Sequence, residues 1–141
     1  MRLDLNYISA ANEIWYNEGT KVFGPPIDEY IITVLATHLD QPDLCPDSPA
    51  IRLLTTAVEA PEYTKFQTYQ AIGDDCLLLA SICPDWKRRH GLGAEYLDKI
   101  GMTSYHAAVQ FAAGQETKRL FAAMTEHFTE VRTFLNHRLK P

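Results

Sequence analysis

Between Pro61 and Pro84 the chain runs without a proline, and this stretch constrains the fold more than any other. At 100° per residue Phe66, Tyr69, Gly73, Cys76, Leu77 and Ala80 share one helical face. In its second half Leu78, Leu79 and Ile82 make the opposite side apolar as well. A helix apolar nearly all round is a buried one, so the spacing predicts a central helix over 62–83 with the other elements packed around it. Only a narrow wedge stays polar: Gln67, Gln70, Asp74, Ser81 and Asp85. Gly73 costs about 1 kcal/mol there relative to alanine, which the close approach of a neighbouring backbone would explain.

The remaining segments also read as helices. Tyr7, Ala11, Ile14, Trp15 and Glu18 recur at helical spacing, and Phe23-Gly24-Pro25-Pro26 ends that segment. Pro26 then seats a helix over 27–39, with Tyr30, Ile31, Val34, Leu35 and His38 on one side and Asp28 and Glu29 at its positive end. The loop 40–47 is rich in proline and aspartate. Ser48-Pro49 opens a helix whose apolar residues are Ile51, Leu53, Leu54, Ala57 and Val58, ending near Ala60. After the basic connection Trp86–Gly93, a helix over 94–113 carries Leu97, Ile100, Gly101, Ser104, Tyr105, Ala108, Phe111 and Ala112 inward. Gly114 separates it from a last helix, 115–139, striped by Leu120, Met124, Phe128, Val131, Leu135 and Leu139. The expected fold is all-α: one domain over 1–141, a bundle of about five or six helices around the helix 62–83. Residues 1–24 form an N-terminal helix and Pro/Gly linker, and 26–139 the bundle core.

A chain of 141 residues buries enough surface to fold without a metal or disulfide staple. No apolar run approaches the length of a membrane span, and the first residues lack the apolar core of a signal peptide. Three cysteines without framework spacing suit a reducing cytosol, so a cytoplasmic protein is expected. The net charge of −5 disfavours nucleic-acid binding. The linker between the helices flanking 84–93 is too long for a helix-turn-helix, and Glu95 and Asp98 would repel phosphates from the second of them.

Catalytic patterns are missing. No glutamate has a histidine three residues later, which removes the di-iron carboxylate bundle. Asp74-Asp75 is similar to the paired aspartates that hold magnesium diphosphate in helical prenyl-transfer enzymes, but position 78, where a third carboxylate is needed, is leucine. Cys76 and Cys83 lie about 10 Å apart along one helix, too far for one zinc ion. There is no Gly-x-Ser-x-Gly and no nucleotide-binding glycine loop, and Gly91-Leu92-Gly93 reads as a turn. His106 and His127 border apolar stripes, where histidines are more often structural than catalytic. Neither cofactor nor metal is expected.

Two features remain. Asp74, in the polar wedge, is expected to accept hydrogen bonds or to pair with Arg88, Arg89 or Arg52, because a buried carboxylate must be satisfied; Asp75 is expected to be solvated. Trp86-Lys87-Arg88-Arg89-His90 follows the central helix, where cations complement the helix dipole and can meet Asp74, Asp85 or Asp98.

The stretch Gly73-Asp74-Asp75-Cys76-Leu77-Leu78-Leu79-Ala80, followed by Pro84, Arg89, Gly91, Tyr96 and Gly101-Met102-Thr103-Ser104-Tyr105, resembles a family of small, functionally uncharacterised bacterial proteins. Their shared pattern is Gly-Asp before an apolar stretch, a proline shortly after, and a later Gly-x-x-x-Tyr. The resemblance runs from about Ile27 to Leu135. It departs at Cys83, where the family often has Phe, and at Tyr96-Leu97, where it has paired tyrosines. The resemblance implies a helical bacterial protein and no mechanism.

Two functional readings follow. The first is a non-catalytic protein acting through a protein partner or as a homodimer, supported by the aromatics Trp15 and Trp86, expected to be exposed. The second is a ligand-binding or enzymatic bundle whose polar pocket gathers Asp74, Arg88, Arg89 and Tyr105.

Overall fold

The structure is a computed structural model that describes residues 2–45, 47–83 and 93–139. Six helices and no strand occur among these residues. Helix α1 runs Leu5–Ile14 and continues through a π-helical turn, Trp15–Gly19, into a final α-turn, Thr20–Val22. Helix α2 is Ile27–Asp40. Helix α3 is short and interrupted: Pro49–Ile51, a π-helical turn Arg52–Thr56, then Ala57–Glu59. The long helices are α4, Glu62–Ile82; α5, Ala94–Phe111; and α6, Gln115–Arg138.

Each boundary has a local cause. Asp4 caps α1 by accepting from the Asn6 N–H at 2.8 Å, satisfying one of the free amides of the first turn. Pro49 occupies the first turn of α3, where its missing N–H is not needed. Gly114 breaks the chain between α5 and α6 at φ +86°, a conformation open to glycine at little cost. The N-terminus is tied down by the Leu3 N–H donating to the Pro42 carbonyl at 2.9 Å.

Helix α4 is the axis of the bundle. All residues from Asp75 to Ile82 are buried, as the all-round apolar pattern predicts for the apolar ones but not for Asp75 or Ser81, and α5 and α6 pack along it. Its close approach to α5 explains the interior glycine Gly73, and the packing of α6 against both explains Gly101. A Cβ on Gly73 would lie 2.4 Å from the Tyr105 ring, and one on Gly101 would lie 2.3 Å from the Phe128 ring and 3.1 Å from Cys76 Cβ. Gly73 therefore makes room for an aromatic ring rather than a backbone. The inner stripe of α5 is Leu97, Asp98, Gly101, Ser104, Tyr105 and Ala108, and that of α6 is Phe121, Met124, Phe128, Val131, Phe134 and Leu135.

One expectation is corrected at the N-terminus. Trp15 is not exposed but 0% accessible, stacked on Phe23, edge-on to Phe134, its indole N–H donating to the Asp28 carbonyl at 3.0 Å. Tyr7 and Glu18, placed on the same stripe by the sequence, face solvent instead; the buried set is Ile8, Ala11, Trp15 and Gly19. Gly19 is what lets the indole lie flat against its own helix, since a Cβ there would fall 2.4 Å from the ring. Leu3, Ile8, Ala11 and Trp15 thus belong to the same core cluster as Leu77, Phe128 and Leu135. Trp86 lies outside the described residues.

Candidate functional site

Among the described residues, three part-buried polar clusters and one apolar surface could carry function. The first cluster centres on Asp74. Tyr30 of α2 and Tyr105 of α5 both donate their hydroxyls to Asp74 Oδ1, at 2.5 and 2.6 Å. Gln70, one turn earlier on α4, donates to the Tyr30 oxygen at 3.1 Å. The carboxyl is surrounded by protein, and burial pushes its pKa up to about 7, against the pull of the two tyrosine hydrogen bonds and with a push from neighbouring Asp75. The same burial, together with the Asp74 charge, raises both tyrosine hydroxyls far above their ordinary value. Aromatic faces close the site: Tyr30 and Tyr105 both lie against Phe121, and Tyr105 also against Phe128. Chemically this is a tie between three helices, with its donors already turned onto its acceptor.

Of the residues the sequence grouped here, the structure brings Asp74 and Tyr105 together; Arg88 and Arg89 lie outside the described residues. Tyr30 was missed. Its only signal was a place on the inner side of α2, and the contact spans 44 positions in sequence.

Asp75 forms the second cluster and overturns two expectations. It is buried rather than solvated, and it, not Asp74, receives Arg52. His38 of α2 approaches from the other side, its Nε2 3.9 Å from Asp75 Oδ1 while Nδ1 faces the Val34 carbonyl at 2.8 Å. Burial raises the Asp75 pKa and the Arg52 guanidinium and His38 oppose that. The third cluster joins α5 to α6: Arg132 donates to both oxygens of Asp98, at 3.1 and 2.6 Å, and Thr129 to one of them at 3.2 Å. A two-pronged guanidinium fits a buried carboxylate in this way.

None of these clusters supplies a nucleophile. The thiol of Cys76, buried between them, is pushed up by desolvation and the Asp75 charge, so it stays protonated. His106 is exposed and His127 faces Glu130 at 3.2 Å. Among the described residues no three His, Cys, Asp or Glu side chains are placed to hold a metal ion. An open groove of about 380 Å³ lies between the end of α1 and α6, lined by Val22, Phe23, Phe134 and Arg138 among others.

The apolar surface is on α3. Ile51 is 59% exposed, Leu54 74%, Val58 62%, and Tyr63 at the start of α4 86%. Ile51, Leu54 and Val58 follow one another along the exposed side of this helix, three and four residues apart across its π-helical turn. The inward face is held by other means. Arg52 reaches Asp75, Lys65 of α4 donates to the carbonyls of Ala57 and Val58 at 2.9 Å each, and only Pro49 and Ala57 are buried. This helix is unusual for a bundle: Arg52 points in while Ile51, Leu54 and Val58 point out beside the exposed Glu59, and Leu53 is half-buried.

No family model matches this chain, and no curated protein or solved structure matches it either.

Proposed function

We propose that the protein is a non-catalytic docking module that acts by binding another protein through the outward apolar face of α3. The observation that carries this reading is the exposed apolar side of α3. Burying an apolar side chain gains about 25 cal/mol per Å² removed from water, and α3 leaves three such chains outside while spending an arginine inside. Contiguous exposed apolar surface of this kind marks interaction sites. The Asp74 cluster supports the reading by what it lacks as a pocket, since both tyrosine hydroxyls are committed to the carboxylate. No described helix is long and apolar enough to cross a membrane, and Cys45 is an exposed free thiol, which suits the reducing interior of a bacterial cell.

The test is a photo-crosslinking amino acid placed at position 54 or, as a control, at exposed position 103, in cells producing the protein. Position 54 is expected to give adducts of discrete mass that vanish when Ile51 and Val58 become glutamine; position 103 is expected to give none. Equal labelling at the two positions would sink the proposal.

A further inference from the structure

Resting on that docking function, we infer that the partner presents a basic amphipathic helix to α3. Ile51, Leu54 and Val58 have the spacing of successive seam positions in a heptad, the pattern that packs against the side of another helix. From Ile51 to Val58 this amounts to about two turns, roughly 10 Å of axis.

Charge selects the partner. Every exposed charged residue between 40 and 64 is acidic: Asp40, Asp43, Asp47, Glu59 and Glu62. Among the described residues, the two cations between 50 and 65 are directed elsewhere, Arg52 onto Asp75 and Lys65 onto the end of α3. A second copy of this chain laid face to face would set Glu59 and Glu62 against another acidic rim, and like charges so placed repel. An anionic bilayer would be repelled in the same way. A helix with leucine-type residues on its seam and lysine or arginine beside it meets both the apolar ridge and its rim. The four exposed side chains offer on the order of 500 Å², the size of a functional surface patch, so the complex is of the small, transient class.

The probes are two synthetic amphipathic peptides of about four turns, with leucine at the seam positions and either lysine or glutamate flanking them, titrated into the full chain by fluorescence anisotropy. The lysine peptide is expected to bind at least about tenfold tighter than the glutamate peptide and to weaken as salt shortens the Debye length. Leu54→Gln, a change at an exposed position that leaves folding intact, should weaken it about fivefold or more. The double variant Glu59→Lys/Glu62→Lys should abolish the preference, whereas Glu13→Lys/Glu126→Lys, with the same change in net charge at exposed sites on α1 and α6, should keep it. Equal binding of the peptides, or a preference lost in both double variants, overturns the inference. So does a sedimenting dimer that Leu54→Gln dissociates, which assigns the face to a second copy, or uptake by phosphatidylserine vesicles. If neither peptide binds while crosslinks at position 54 persist, the basic partner is wrong and the docking function stands; if both fail, both fall.

Discussion

Asp74 shows how one residue sets the response of the whole fold to pH. Its carboxyl has a pKa near 7 in the folded chain against an ordinary 3.8, because burial disfavours the charge more than two tyrosine hydroxyls favour it. The folded state therefore binds a proton that the unfolded state has released. The stability from this group is complete below about pH 4 and is lost as pH rises through about 7. The difference corresponds to roughly 4 kcal/mol, since the two values lie about three pKa units apart and each unit is worth about 1.4. Asp74→Asn holds the position neutral at every pH. The wild-type melting temperature is expected to fall by about 5 °C or more between pH 5 and pH 8, with a much flatter profile in the variant, which should equal or exceed wild type at pH 8. A variant that melts far below wild type at pH 8 would show that the ionised carboxylate is the stable form. That Asp74 is satisfied was legible from its place in the polar wedge. Its partners were not, because nothing in a single sequence says which tyrosine of which helix faces it. The choice of Arg52 between two adjacent aspartates was equally hidden, since residues 74 and 75 sit 100° apart on α4 and only the assembled bundle decides which one looks toward α3.

At the scale of an element, α3 is held by one ion pair more than by packing. Removing Arg52 strands the buried Asp75 charge, and breaking such a pair costs about 3–5 kcal/mol. Removing both partners leaves no stranded charge. Arg52→Met is therefore expected to be markedly destabilising and to speed amide exchange through 49–59. Arg52→Met/Asp75→Leu should recover most of the loss in global stability and fail to restore protection in α3. Denaturant unfolding of the four proteins of this cycle gives the coupling; strictly additive losses would mean that the pair does not anchor the helix. The sequence displayed the apolar positions of α3 correctly as a helical set, but periodicity is silent about which way a stripe faces. On α5 and α6 the stripes face inward, as Gly101 and Phe128 show by their contact. On α3 the same kind of stripe faces out, because Arg52 and Lys65 fix the opposite side.

The whole molecule is one cooperative body only if α1 contributes to it, and Trp15 is where that can be decided. The sequence sets residues 1–24 apart behind a Gly-Pro-Pro break, and a stripe drawn through Tyr7 and Glu18 leaves the indole at the edge. The structure rotates that helix so that Ile8, Ala11 and Trp15 turn inward, a shift that neighbouring residues of similar polarity do not specify. The indole then contacts Phe23 and Phe134 and bonds to the Asp28 carbonyl, joining the first helix to α2 and to the end of α6. Truncating a fully buried tryptophan removes this contact area and leaves a cavity, at a cost of about 3–5 kcal/mol. For a chain of this length Trp15→Ala should lower the melting temperature by on the order of 10 °C while the transition stays single. Tyr16→Ala is the matched control, one position along the same helix and 69% exposed, and should shift it by no more than about 2 °C. A Trp15→Ala protein that melts like the control would detach α1 from the folding unit. An unfolding transition that splits in two would place the boundary at the Gly-Pro-Pro break. The expected outcome, a large single shift, follows because the α1 residues that turn inward share one core with α4 and α6, so the bundle cannot be completed without them.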